Sequence, residues 1–159
     1  IFQQCKKIKL VLSDVDGVLT DGGMYYSEKG EAMKKFNTRD SMGMELLRNV
    51  GIPTVLITRE NSTIVKKRAK KIKVELYSKI LDKKKILPII CSKYNVIPSQ
   101  IAYIGDDVND LQIMKEIGFK VAPYDAVEKI KEISDYLCTL KGGEGAFREL
   151  SDLILKYND

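Results

Sequence analysis

The sequence predicts an α/β domain, a parallel sheet covered by helices on both faces. Short β-prone apolar runs alternate with amphipathic stretches along the chain, and that alternation builds a parallel sheet wrapped by helices. The runs are nearly continuous in apolar character, as strands buried on both faces must be. The length of 159 residues suits one domain that buries roughly two thirds of its unfolded surface. We therefore expect a single domain over residues 1–159, with a hairpin insertion at about 22–36 and a C-terminal tail at about 141–159.

Each element has its own signal. Ile8 to Ser13 is a β-prone run and the first expected strand. Met24 to Phe36 carries Tyr25-Tyr26-Ser27-Glu28-Lys29-Gly30, a hairpin turning near Lys29-Gly30. Ser41 to Val50 sets Met44, Leu47 and Val50 on one helical face, and Gly51 is a stop. Pro53 to Thr58 is the next buried strand, Ser62 to Lys71 a helix and Val74 to Tyr77 a short strand. Lys83 to Tyr94 is helical, but Pro88 lacks a backbone N–H and predicts a kink or an early break. Ile101 to Gly105 is a strand, Asp110 to Ile117 a helix closed by Gly118, and Phe119 to Ala122 a strand. Ala126 to Ile133 is a helix and Tyr136 to Leu140 a last strand. Gly142-Gly143-Glu144-Gly145 is a flexible break, and Ala146 to Tyr157 aligns Phe147, Leu150, Leu153 and Ile154 as one apolar stripe.

Composition excludes several chemistries. Histidine is absent, which removes Ser-His-Asp and Cys-His catalysis, a histidine base and histidine-ligated metals. Lys plus Arg is 27 and Asp plus Glu is 22, giving +5. That excess suits an anionic small molecule, and its scatter argues against nucleic acid. The densest basic run, Lys66 to Lys71, falls in a helical pattern and reads as a solvated face. Cys5, Cys91 and Cys138 are widely spaced, as in a reduced, cytoplasmic protein. No apolar stretch approaches the ~18 residues of a membrane helix, so no membrane association is expected. The N-terminus shows no signal-peptide pattern. It opens on Ile1 rather than Met, which predicts a chain trimmed or cut from a longer polypeptide.

In such sheets function gathers in the loops at the carboxyl ends of the strands. The first strand runs into Asp14-Val15-Asp16-Gly17-Val18-Leu19-Thr20-Asp21. Two-residue spacing puts both carboxylates on one side of an extended chain. As the chain turns at Gly17, one can attack while the other donates a proton; a solvated Asp/Gly turn is the plainer reading. The second strand ends in Thr58-Arg59-Glu60-Asn61, either an anion cradle or simple helix capping. Asp82-Lys83-Lys84-Lys85 opens a helix, with a lysine placed to meet phosphate as a point charge or to face water. The fourth strand ends in Gly105-Asp106-Asp107-Val108-Asn109-Asp110, an oxygen-rich cluster of the kind Mg²⁺ prefers.

Taken in order, D-x-D-G-V, Thr, Lys and G-D-D-x-x-D, spaced for a five-stranded α/β domain, resemble the haloacid-dehalogenase-like phosphotransferases over essentially the whole chain. Four segments point closer: Asp16 to Gly22, Phe36 to Asp40, Ala102 to Asp107 and Gly142 to Glu149. They resemble the 3-deoxy-octulosonate 8-phosphate phosphatases and the related phosphatases of nonulosonate 9-phosphates. The resemblance implies a Rossmann-like sheet, a β-hairpin in place of a large cap, and a homotetramer whose subunits complete one another's sites. It also implies Mg²⁺ held by Asp14, the Asp16 carbonyl and Asp106, with Asp14 as nucleophile and Asp16 as acid and base. Thr58, the Arg59 amide and Lys83 would bind phosphate, and Asp107 and Asp110 would orient the ligands.

The substrate expected from the resemblance is a sugar-acid phosphate, one of the two just named. Many octulosonate enzymes read Thr/Ser-Gly-Arg after strand two, whereas this chain reads Thr58-Arg59-Glu60. Nonulosonate-type relatives often carry glutamate there. Glu60, with Arg68 and Lys71 on the following helix, is thus expected to meet the sugar acid. The alternative is a C-terminal oligomerising or regulatory phosphatase-like domain of an acylneuraminate cytidylyltransferase. Such domains tend to lose acids that this chain keeps.

Overall fold

A computed structural model describes residues 1–158. The first apolar run forms β1 (Leu10–Ser13), fully buried, and flanked by β4 (Thr54–Ile57) and β6 (Ile101–Ile104), both parallel to it. β5 (Glu75–Tyr77) continues the sheet beyond β4, and β7 (Phe119–Ala122) and β8 (Tyr136–Leu137) continue it beyond β6. The order is β5-β4-β1-β6-β7-β8. The chain winds outward one way from β1, then returns and winds the other way, the Rossmann-like order. Such a sheet opens a crevice at the carboxyl ends of the strands where the direction reverses, here β1 and β6.

Alternation along the strands builds two cores. Leu10, Leu12, Val55, Ile57, Ile101 and Tyr103 point to one face, under α4 (Lys83–Tyr94), α5 (Leu111–Met114) and α6 (Glu128–Ile133). Val11, Leu56, Ala102, Ile104, Phe119 and Val121 point to the other. That face is covered by α1 (Phe2–Lys7), α2 (Thr38–Asn49), α3 (Thr63–Ile72) and α7 (Ala146–Tyr157). Among the described residues, no helix is long and apolar enough to cross a membrane. The three cysteines are free thiols.

Four details depart from the expectations. The last of the six expected strands, at Tyr136 to Leu140, shrinks to the two-residue edge strand β8, so the five longer strands carry the sheet. The N-terminal residues form α1, which the sequence pattern did not suggest. It is held from afar: the Asn158 amide donates to the carbonyls of Cys5 (2.7 Å) and Ile8 (3.1 Å), and Phe2 meets Tyr157 edge-on. Pro88 does not break α4, which runs unbroken over twelve residues with Pro88 on its solvent face. The expected helix at Asp110–Ile117 shrinks to α5, after a 3₁₀ turn at Val108–Asp110.

The expected hairpin forms as β2 (Tyr25–Ser27) and β3 (Gly30–Met33), a sheet of its own. Gly30 turns with φ +107°, a conformation glycine adopts freely. Met24, Tyr25, Tyr26 and Met33 are exposed. The tail around Gly142 and Gly143 lies backbone to backbone on the loop after β1. A Cβ on Gly142 would stand 1.8 Å from the Gly17 carbonyl oxygen. Gly143 donates to the Val18 carbonyl (2.9 Å), and Gly142 donates to Asp125 (3.0 Å).

Candidate active site

Asp14 leaves β1 with its N–H bonded to the Ile104 carbonyl (3.1 Å), so the sheet ladder carries it to the crevice. The chain then folds back within a few residues. Thr20 Oγ accepts from the N–H groups of Gly17 (3.3 Å) and Gly22 (3.2 Å) and closes the loop. Gly17 has φ +86°, and a Cβ there would meet Asp106 Oδ2 at 1.8 Å. Only glycine lets the first loop pass so close to the fourth.

One buried ion cluster organises the floor. Lys83, the first residue of α4, has a fully buried ammonium bonded to Asp14 Oδ1 (2.9 Å) and Asp110 Oδ1 (2.7 Å). Burial works against its charge, but the two carboxylates outweigh it and hold its pKa above the usual lysine range. Asp110 Oδ1 also accepts from the buried Tyr103 hydroxyl (2.5 Å), and Oδ2 accepts from the N–H groups of Asp106 (3.1 Å) and Asp107 (3.5 Å). Asp110 thus has four donors and no lone pair to spare.

Asp14, Asp106 and Asp110 bring carboxylate oxygens within 4.8 Å of one another. Asp106 Oδ1 is buried with no hydrogen-bond partner. Burial, then the Asp14 carboxylate, pushes the Asp106 carboxyl up to about 9. Burial and the Asp110 charge raise Asp14 to about 6, against the pull of Lys83. Two crowded carboxylates with an orphaned oxygen fit a hard divalent cation, which would supply the missing partner. Asp110, already saturated, serves as their anchor rather than as a further ligand.

Above this floor lies an open cavity of about 560 Å³. The first loop contributes Asp14, Asp16 and Gly22, the second Thr58, Arg59 and Glu60, and the fourth Asp106, Asp107 and Asn109. Thr58 is buried; its hydroxyl accepts from the Glu60 N–H (3.1 Å), and its backbone is pinned to Tyr77 and Ile80. Asp107 is exposed and caps the 3₁₀ turn through Val108 N–H (2.7 Å).

Glu60 reaches the cavity, but Arg68 and Lys71 do not. Arg68 lies over the Phe36 ring, 5.5 Å from its centroid, and bonds Ser41 (3.3 Å). Lys71 borders a separate cleft with Thr38, Ser41 and Arg48. α3 buries Val65 and Ala69, and that register turns Arg68 and Lys71 toward α2, away from the phosphate loop of the same chain.

The sequence reading missed Lys34, whose side chain is 1% exposed and pairs with Asp16 (2.6 Å). It also missed Tyr103 and Leu81 as site residues. Tyr103 reads as ordinary strand core, and Lys34 is one of 27 basic residues with no motif around it.

A sequence profile of haloacid dehalogenase-like hydrolases matches residues 54–150. The chain is 37% identical over 155 residues to the 3-deoxy-D-manno-octulosonate 8-phosphate phosphatase of Haemophilus influenzae, spanning 97% of this chain and 86% of that one. To the Yersinia pestis enzyme of the same name it is 36% identical over 160 residues, spanning 100% and 86%. The Moraxella catarrhalis 3-deoxy-D-manno-octulosonate 8-phosphate phosphatase, crystallised with a magnesium ion, a phosphate ion and a KDO molecule, superposes with a TM-score of 0.94 at 38% identity, covering 98% of this chain and 90% of that one. These matches extend over the first loop, which lies outside the profile match.

Proposed function

The chain belongs to the haloacid dehalogenase-like hydrolase family and is a phosphomonoester hydrolase, and on that premise we propose that it removes the terminal phosphate of a 2-keto-3-deoxy sugar acid, with 3-deoxy-D-manno-octulosonate 8-phosphate as substrate. The observation that carries this reading is the convergence of Asp14, Asp16, Thr58 and Asp106 on one cavity, with Lys83 beneath it. The sugar follows the named activity of the relatives.

Asp14 is the nucleophile. Its oxygen bonds to phosphorus, the phosphorus–sugar oxygen bond breaks, and Asp16 gives its proton to the leaving oxygen. Water then attacks the aspartyl-phosphate, Asp16 takes the proton, and phosphate leaves with Asp14 regenerated. Thr58 and the Arg59 amide hold phosphate oxygens. Lys83 keeps Asp14 in place and adds positive charge under the transferring group. Mg²⁺, held by Asp14, Asp106 and the Asp16 carbonyl, would offset the repulsion between carboxylate and phosphate. Asp107 and Asp110 orient the Asp106 loop.

Glu60 on the cavity wall favours a second reading, a nonulosonate 9-phosphate, because its carboxylate suits the hydroxyls of a longer sugar chain. Arg68 and Lys71 would then contribute only from a neighbouring copy. We further propose a homotetramer, supported by the exposed hairpin side chains and the open cavity. The retained acids and Lys83 favour an active enzyme over a regulatory domain of a cytidylyltransferase.

Phosphate release from both sugar acids, with Mg²⁺ and after chelation, tests the reading. We expect a higher kcat/KM for the octulosonate ester and loss of turnover with EDTA. A reversed preference transfers the assignment to the nonulosonate, and no turnover of either ester removes it.

A further inference from the structure

The hairpin is a sheet of its own, yet the lysine that follows it has a buried side chain. Lys34, just past β3, places its ammonium 2.6 Å from Asp16 Oδ1 and 2.8 Å from Glu31 Oε1. Glu31 lies on β3 itself, and its second oxygen accepts from the Ser62 hydroxyl at 2.5 Å. Ser62 is the residue that caps α3, accepting from the Val65 N–H (3.2 Å). A continuous polar chain therefore runs from the loop before α3, across the hairpin, to the carboxylate of the first loop.

Three features set this chain apart from an ordinary surface ion pair. The Lys34 side chain is 1% exposed, so it is screened far less than a solvated pair. Among the described residues it is the only side chain bonded to the Asp16 carboxylate. It is not among the residues that line the cavity, so it meets Asp16 without itself bordering the space a substrate takes.

We propose that Lys34 is the positioning residue of the acid–base carboxylate. Held by Glu31, which Ser62 holds in turn, it fixes where Asp16 points at the leaving oxygen. The hairpin is then an arm that aims a reacting group as well as a cover for the site. This rests on the phosphatase reading above, in which Asp16 moves the proton.

The test is a double-mutant cycle on the full chain with Mg²⁺ and the octulosonate ester. General acid–base catalysis contributes about 10²–10⁴, and misplacement by about 1 Å removes on the order of 10². Lys34→Met should therefore lower kcat by roughly ten- to a hundredfold, with KM within about twofold and the Mg²⁺ requirement unchanged. Lys34→Arg, whose guanidinium also bridges two carboxylates, should restore most of kcat. Lys34→Met combined with Asp16→Asn should be no slower than Asp16→Asn alone, because the lysine acts only through that carboxylate. Additive losses, an effect confined to KM, or unchanged kcat would each overturn the proposal. A crystal structure of Lys34→Met supplies an arm independent of turnover. We expect the Asp16 carboxylate to leave its present orientation, and an unmoved carboxylate refutes the positioning role. Should wild type hydrolyse neither ester, the substrate reading fails while the crystal structure still decides whether Lys34 sets Asp16.

Discussion

Replacing Asp14, the proposed nucleophile, is the harshest single-residue change available to this site. Asp14→Asn keeps size and loses the attacking oxygen, and uncatalysed phosphate-ester hydrolysis is extremely slow. We expect phosphate release to drop by about a thousandfold or more; a loss under tenfold would contradict the assignment. Asp106→Asn should act differently, raising the Mg²⁺ concentration needed for half-maximal rate in a metal titration. Asp40 supplies a pH signature away from the chemistry. It is buried, one oxygen accepts from the Arg148 N–H (3.0 Å) and the other has no partner. Burial pushes its carboxyl up to about 6, against the Arg148 N–H and the charges of Arg68 and Arg148. The folded value lies above the usual 3.8, so the native state binds this proton more tightly than the unfolded chain. Its contribution is complete below about pH 4 and is lost as pH rises through about 6. Asp40→Asn keeps the acceptor for Arg148 without the charge. The stability difference, variant minus wild type, should grow between pH 4.5 and 7 in urea unfolding, and a difference independent of pH would contradict this account.

At the scale of elements, the tail loop and α4 make opposite predictions. Gly142 has no room for a side chain against Gly17, and overpacking of this kind costs about 1–3 kcal/mol. Gly142→Ala should therefore lower the thermal midpoint and reduce kcat together, because the loop it displaces carries Asp16. A variant with wild-type rate and stability would show that the tail does not brace that loop. Pro88 lies exposed within α4 and leaves the Lys84 carbonyl without its helical donor. Proline in a helix interior is about 3 kcal/mol worse than alanine, partly offset by the freer unfolded chain. Pro88→Ala should raise stability by roughly 1–2 kcal/mol in urea unfolding; a fall would mean the proline is needed. The same two elements show what was legible in the sequence. The strands and the loop acids could be read because apolar runs and Asp spacing are local patterns. The glycine tail was recognised by resemblance, but its close approach to Gly17 is a contact across more than a hundred residues. The α1 helix likewise depends on Asn158 at the other end of the chain, while the Lys34–Asp16 pair and the turn of Arg68 toward Ser41 join residues 18 and 27 apart, beyond the period of any one helix or strand.

For the whole molecule, the exposed Met24, Tyr25, Tyr26 and Met33 beside an open site predict self-association. Light scattering at micromolar concentration should give four times the 18.0 kDa chain mass, and a monomer would leave the hairpin without its expected partner. The central position of β1 has a consequence for the birth of the protein on the ribosome. β1 is made before both of its neighbours, which end at Ile57 and Ile104. At roughly 5–20 residues per second, the interval between Ser13 and Ile104 is on the order of 5–18 s. Over that time one edge of a strand that is fully buried in the native sheet has no native partner. Because every pairing in the main sheet is parallel, no quick local hairpin can shelter it. Until β6 is made that edge is open to wrong pairing, and the phosphatase site is assembled only after the fourth loop, which carries Asp106 and Asp110, has followed β6.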